Sequence, residues 1–94
     1  MGNNGYNDTL FPTEGCLICG YQGDLVRHEV FQGTNRLKSK KYGCWVNLCP
    51  RCHMELHAQP SGYKWLKAVA QEKAMEVHGW TEEEFRNVFG KSYI

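Results

Sequence analysis

Short runs of β-branched and aromatic residues in the first half of the chain predict strands. Two such runs are residues 24–31 (DLVRHEVF) and 42–48 (YGCWVNL). Turn-forming residues at 32–35 (QGTN) follow the first run, and residues 36–41 (RLKSKK) are interpreted as a basic loop. The first half therefore predicts a strand, a basic loop and a second strand.

The second half has the residue spacing of helices. One helix is predicted after Cys49, because Pro50 suits a first helical position, and it ends before Pro60. The clearest helical pattern is residues 63–78 (YKWLKAVAQEKAMEVH). Its stripe recurs at helical spacing and is apolar except for one lysine: Leu66, Val69, Ala70, Lys73 and Val77.

Local signals also predict where these helices begin and end. Ser61 is a candidate cap at the start of the long helix, and Gly79 at its end. Thr81 and Glu84 have the spacing of a capping box, which predicts a last short helix up to Phe89. Large aromatic side chains are predicted to fill the core: Trp45, Trp65, Trp80, Phe85 and Phe89.

The length of 94 residues corresponds to one domain. Residues 1–15 are rich in Gly and Asn and predict a flexible arm, whereas residues 16–94 predict a single α+β domain. No apolar run approaches the roughly 18 residues of a membrane span, and no secretory leader is visible. We therefore expect a cytoplasmic protein that is not secreted and has no membrane partner.

Five cysteines stand out in so short a chain: Cys16, Cys19, Cys44, Cys49 and Cys52. Four of them form two Cys-x-x-Cys pairs, at residues 16–19 (CLIC) and 49–52 (CPRC). The odd count without a secretory leader argues against a disulfide framework, and a dithiol redox centre needs only one such pair. A structural zinc site on the four paired cysteines fits better, and Gly20 allows a tight turn around the metal. Cys44 is left over and is predicted to be a small buried side chain.

The net charge of +1 hides a separation of charge along the sequence. Residues 25–57 carry a net +4, and residues 72–84 carry a net −4. The basic segment could be a solvated face, or it could contact nucleic-acid phosphates without reading sequence. Its candidate phosphate contacts are Arg27, Arg36, Lys38, Lys40, Lys41 and Arg51.

Three histidines share the basic segment. His53 and His57 stand four residues apart on a predicted helix, so their imidazoles can converge on one ion, while His28 comes from a predicted strand. Imidazole nitrogen suits Zn, Ni, Cu or Fe, and open coordination positions would admit the oxygen ligands that Mg and Mn prefer. The spacing therefore predicts a second metal site, distinct from the four cysteines.

Residues 28–31 (HEVF), the basic loop, and residues 45–57 (WVNLCPRCHMELH) together resemble an HNH endonuclease of the ββα-metal superfamily. The similarity is greatest to small stand-alone HNH proteins of phages and prophages, in which Cys-x-x-Cys pairs bind zinc. It covers residues 16–57, which would form a zinc-stapled ββα core, and is less specific over the helical end at 61–94. The resemblance implies a protein of bacteria or phage-infected hosts.

The resemblance also implies roles for individual residues. His28 matches the general base that takes a proton from an attacking water, and His53 and His57 match ligands of a catalytic divalent ion, whether Mg, Mn, Ni or Zn. Two departures concern Arg27, which replaces the usual metal-ligating Asp or His, and the middle asparagine, which has no counterpart at the usual spacing. Glu29 is a candidate substitute ligand or an orienting carboxylate. Asn47 and Asn35 could each orient the base.

The function expected from the sequence is metal-dependent hydrolysis of DNA phosphodiester bonds, by nicking or double-strand cleavage. The resemblance suggests DNA, phage packaging or recombination proteins and a second copy of the chain as partners. The alternative is a non-catalytic zinc module that binds nucleic acid or acts as an adaptor on the same scaffold. A dithiol redox protein is a third candidate, and its thiols would titrate freely without metal removal.

Overall fold

A two-stranded antiparallel sheet lies beside the helices in the computed structural model, which describes residues 6–94. The strands are β1 (Val26–Glu29) and β2 (Trp45–Leu48), and the helices of the described part are α1 (Arg36–Tyr42), α2 (Pro50–Ala58), α3 (Lys64–His78) and α4 (Glu82–Phe89). The molecule is a small α+β domain, as the sequence predicts. None of the described helices is long and apolar enough to cross a membrane.

The register of the two strands separates the candidate site residues between two faces. His28 pairs with Val46, whereas Arg27 pairs with Asn47. Because directly paired residues of an antiparallel ladder share a face, His28 lies on the face of Val46, and Asn47 lies on the opposite face with Arg27. The His28 face is buried: Val46 and Leu48 have no exposed surface, and His28 is 4% exposed.

The segment predicted to be a basic loop is instead helix α1. A 3-10 turn (Gly33–Asn35) precedes it, and Gly43, at φ 78°, ends it in the left-handed conformation. The strand predicted from residue 42 therefore begins only at Trp45. One buried polar residue, Ser39, anchors the helix: its hydroxyl donates to the Phe31 carbonyl at 2.7 Å and accepts from the Phe31 amide at 3.1 Å. Without an apolar stripe, the helix has no periodic signal in the sequence.

The other helix ends largely follow their local signals. Pro50 begins α2 behind Cys49, and Gly79 closes α3 with a left-handed φ of 71°. The capping box between Thr81 and Glu84 is formed, which confirms the prediction for α4. The cap predicted at Ser61 is wrong, because Ser61 lies inside a 3-10 turn (Pro60–Tyr63) that leads directly into α3.

The core forms where α3 and α4 meet the end of β1. The Phe31 ring lies 4.7 Å from the Phe89 ring, and Phe85 and Phe89 stack at 4.8 Å. Trp45 is also buried and Trp80 is half-buried, but Trp65 is 47% exposed, so its predicted core position is wrong. The apolar residues on the buried side of α3 are smaller than tryptophan and recur every four positions: Leu66, Ala70 and Ala74. Because this side faces the core, Trp65, Val69 and Val77 are left at the surface.

The described part of the predicted arm lies along α1 and β2. The Asn7 amide donates to the Lys40 carbonyl, and the Leu10 amide donates to the Gly43 carbonyl, both at 2.9 Å. The Trp45 indole donates to the Asn7 carbonyl at 2.7 Å. The segment 6–15 is thus held to the domain by backbone hydrogen bonds that its sequence does not indicate. Residues 1–5 of that prediction lie outside the described residues.

Candidate metal centres and the histidine cleft

The four paired cysteines come together on one side of the sheet. Their sulfur atoms all lie within 4.8 Å of one another, and Cys16, Cys49 and Cys52 are buried while Cys19 is exposed. Cys19 Sγ and Cys49 Sγ are 3.7 Å apart. This separation is too long for a disulfide of about 2.05 Å, but it matches the roughly 3.8 Å between two sulfurs that each lie about 2.3 Å from one tetrahedral zinc. The cluster is compatible with a structural metal site.

Two short structures position these thiols. In the first knuckle the Gly20 amide donates to the Cys16 carbonyl at 2.8 Å, and Gly20 takes the left-handed φ of 83° that the tight turn needs. In the second, Cys49 caps α2 and accepts from the Cys52 amide at 3.4 Å. The Leu17 amide donates to the Asn47 carbonyl at 2.9 Å, which ties the first knuckle to β2.

The thiols differ in how readily they ionise. Burial opposes ionisation of Cys16, but hydrogen bonds from the backbone at Cys19 and Cys49 outweigh it and lower the pKa of Cys16 to about 6. Burial, together with hydrogen bonds to neighbouring thiols, raises the pKa of Cys52. One thiolate therefore forms readily, and a full set of four needs the positive charge of a bound cation. Cys44 stands apart: it has no exposed surface, and burial raises its pKa to about 12.

The three histidines form a second cluster. His28 from β1 and His53 and His57 from α2 each offer a ring nitrogen, and these nitrogens lie within 4.8 Å of one another. The two Nε2 atoms of His53 and His57 are 3.0 Å apart. Nitrogens that each lie about 2.1 Å from one ion are about 3.0–3.4 Å apart, so the pair suits a shared ion as well as a mutual N–H···N hydrogen bond. The His28 ring lies 5.3 Å from the His53 ring and 5.5 Å from the His57 ring.

Within this cluster the electrostatics favour neutral imidazoles at His28 and His53. Burial, followed by the nearby charges of His53 and His57, lowers the pKa of His28 to about 4. Burial and the charge of His57 also lower the pKa of His53. A neutral imidazole has a free lone pair, which either a proton or a metal ion can take. Near neutral pH the lone pairs of His28 and His53 are therefore free to bind a metal ion, and a His28 pKa of about 4 makes its ring a weak base.

Glu29 lines the same cleft as the histidines although it follows His28 in the strand. The cleft has a volume of about 670 Å³, and its walls include Tyr6, Arg36 and Gln32. Glu29 is buried, its Oε2 accepts from the Tyr6 hydroxyl, and its Oε1 lies 3.4 Å from Arg36 Nε. The carboxylate is thus already paired with two side chains and is absent from the cluster of ring nitrogens that could share an ion. This geometry favours an orienting or charge-balancing carboxylate.

The two candidate asparagines lie away from the ring nitrogens. Asn47 is half-buried on the opposite sheet face and is not among the residues that line the histidine cleft. Asn35 Nδ2 donates to the Phe89 carbonyl at 2.8 Å, which ties α1 to α4. The side-chain amide that does lie beside the base candidate belongs to Gln32, whose Nε2 is 3.4 Å from His28 Nδ1. Sequence analysis missed Gln32, because its spacing matched no motif and only the turn after β1 folds it back.

Of the six candidate phosphate contacts, two line the histidine cleft and four do not. Arg27 and Arg36 line the histidine cleft, and the Arg27 guanidinium also lies 4.6 Å over the Tyr6 ring. Lys38 instead donates to the Val88 carbonyl at 2.6 Å. The remaining three do not line this cleft: Lys40 lies over Tyr6, Lys41 lies over Tyr42, and Arg51 is exposed on α2.

The fold and its two clusters define the class of molecule: a small α+β domain with a four-cysteine candidate metal site and a three-histidine cleft. Comparison with known proteins finds no matching family model, no matching curated protein and no matching solved structure. The residues of the two clusters are therefore what indicates the function.

Proposed function

We propose that the protein is a divalent-metal-dependent endonuclease that hydrolyses phosphodiester bonds in DNA, with β1, β2 and α2 as an HNH-type ββα-metal core. The observation that carries the proposal is the convergence of His28, His53 and His57 in an open cleft. Arg27 and Arg36 line the same cleft and supply positive charge for a phosphate. In this proposal α1 is an insertion between the two strands of the core.

His28 acts as the general base in this proposal. Its ring is buried and neutral, it lies on β1 beside the helix histidines, and the Gln32 amide next to Nδ1 restricts its rotation. It takes a proton from the water that attacks the phosphorus. His53 and His57 would hold the divalent ion, which when bound supplies charge stabilisation to the phosphate and to the leaving 3′ oxygen.

The four-cysteine site has a structural role in this proposal. A zinc held by Cys16, Cys19, Cys49 and Cys52 would join the loop before β1 to the start of α2. Because His53 directly follows Cys52, the same ion would fix the rotation of α2 relative to β1, and with it the spacing of the histidines. Zinc here would organise the site and take no part in the reaction.

The alternative is a non-catalytic nucleic-acid-binding or adaptor module. Arg27, at the position where the HNH pattern places a metal ligand, is a cation and stacks on Tyr6, and Asn47 lies on the far face of the sheet. On this alternative the cleft binds phosphate without hydrolysing it, and the histidines serve as weak donors. The two functions differ in turnover, which makes them separable by experiment.

The test is relaxation of supercoiled plasmid in the presence of Mg, Mn, Ni or Zn. We expect the wild-type protein to nick, and His28→Ala to be slower by at least about 100-fold, the usual range for loss of a general base. His78→Ala is the matched control, because His78 lies at the end of α3 and bonds to the Tyr42 carbonyl, outside the cleft. DNA binding without nicking in any of the four metals would support the adaptor, and nicking by His28→Ala would show that another group is the base.

A further inference from the structure

A basic groove leads away from the histidine cleft along the start of α3. It begins in a pocket of about 190 Å³ whose walls include His28, His57, Lys64 and Lys67. The same two lysines line a second depression, of about 360 Å³, together with Lys91 and Tyr93. We call the surface of Lys64, Lys67, Lys91, Ser92 and Tyr93 the lysine groove. Because His28 and His57 line the first depression and Lys64 and Lys67 line both, the lysine groove adjoins the proposed site of hydrolysis.

The three lysines are exposed and available. Lys67 Nζ lies 5.4 Å and Lys91 Nζ 5.2 Å from the Tyr93 ring, so both cations lie close to the same aromatic side chain. Two ion pairs occur among residues 6–94, Arg36 with Glu29 and Lys73 with Glu76, and neither uses these lysines. By contrast, the ammonium group of Lys38 on α1 donates a hydrogen bond to the Val88 carbonyl.

The charge along α3 changes sign. Lys64 and Lys67 stand in the first turn, one above the other at three-residue spacing, whereas Glu72 and Glu76 follow in the later turns. The first turn therefore does not share the acidity of residues 72–84. Lys91 reaches the groove from beyond α4, 24 positions after Lys67, so the patch exists only in the folded chain.

We propose that the lysine groove is the track that holds the phosphate backbone of DNA as it leaves the histidine cleft. This inference rests on the proposed function and identifies which surface carries the substrate. A line of unpaired cations attracts a polyanion and releases its counterions, and this contact reads no sequence. Adjacency to the cleft favours a nucleic-acid backbone over an acidic protein, because one strand can then occupy both.

The test is fluorescence anisotropy of a labelled duplex as a function of salt, in a His28→Ala background, without chelator and without added divalent ion. The groove variant is Lys64→Gln with Lys67→Gln and Lys91→Gln. Its control, Lys73→Gln with Arg86→Gln, removes positive charge from two cations that line neither the histidine cleft nor the groove and that are not candidate phosphate contacts. Zinc content and the circular dichroism spectrum establish that both variants are folded.

We expect the groove variant to lose at least about tenfold in affinity near physiological salt, and its log–log salt slope to fall by about 2.7, the value for three lost phosphate contacts. The salt slope of the control variant should fall by less than about a third as much as that of the groove variant. Equal losses from both variants, or competition by polyglutamate as strong as by unlabelled duplex, would overturn the inference, whereas nicking by the wild-type protein would still support the proposed function. A wild-type chain that neither binds nor nicks DNA would overturn the proposed function as well.

Discussion

His28 occupies a position where a histidine can serve either as proton acceptor or as metal ligand. Its ring nitrogen lies with those of His53 and His57 within 4.8 Å, and burial keeps it neutral. The HNH pattern assigns it to the base, whereas the cluster geometry also allows three ligands. The sequence predicts that the three residues converge, the structure brings them together, and the two roles of His28 differ in their effect on metal affinity.

The first prediction separates them by metal affinity. If His28 is the base, His28→Ala should bind Co²⁺ or Ni²⁺ at the histidine cleft with an affinity within about fivefold of wild type, less than the 10–100-fold that follows loss of an outer-shell partner. His53→Ala and His57→Ala should each weaken metal binding by well over about 100-fold, because each removes a ligand. Titration calorimetry on zinc-loaded protein measures this. Equal losses from all three variants would assign His28 to the metal.

The second prediction concerns pH. Burial lowers the pKa of His28 to about 4, whereas the unfolded chain has the ordinary value of 6.5. As the pH falls, the unfolded state therefore takes up a proton on this histidine before the folded state does. The stability that depends on neutral His28 is thus complete above about pH 6.5 and is lost as the pH falls towards 4. Urea denaturation of wild type and His28→Gln should show a shallower loss of stability in the variant over that window. Cysteine protonation affects both proteins alike, so parallel curves would contradict the prediction.

At the scale of elements, the sequence predicted those helices whose signals are local. Pro50, the Thr81–Glu84 capping box and Gly79 each act within one turn, and all three stand where predicted. Helix α1 was missed because its anchor is tertiary: Ser39 bonds to the backbone of Phe31, eight residues earlier. Trp65 is exposed for a similar reason, because the elements that pack against α3 decide which of its sides is buried.

The third prediction tests the anchor of α1. Ser39→Ala should lower the free energy of unfolding by about 1–3 kcal/mol, because it removes both hydrogen bonds from a fully buried position and leaves backbone groups of Phe31 unpaired. Ser61→Ala is the control, because Ser61 is exposed in a 3-10 turn, and it should cost less than about 0.5 kcal/mol. Urea denaturation measures both. Similar values for the two variants would mean that α1 docks by other contacts.

At the scale of the molecule, the two candidate ion sites have different relations to the fold. The cysteines come from segments 29 residues apart, so a bound ion closes a long loop that contains β1, α1 and β2. An ion on the three histidines would instead bind to a frame that β1 and α2 already define. The sequence predicts both clusters from two Cys-x-x-Cys pairs and from two histidines four residues apart, but it does not indicate the lysine groove, whose members meet only through the packing of the C-terminal segment.

The fourth prediction follows from this difference. A zinc on four thiolates contributes about 10–16 kcal/mol in small zinc modules, as much as the whole stability of an ordinary domain, so its removal should unfold the protein. A weak chelator should first strip any ion from the histidine cleft and stop nicking with the circular dichroism spectrum unchanged. A strong chelator should then abolish the helical signal, and added zinc should restore it. Cys44→Ala should respond to both chelators as the wild type does, because Cys44 lies outside the cluster. A melt that strong chelation does not shift would show that the cysteines do not stabilise the fold through a metal.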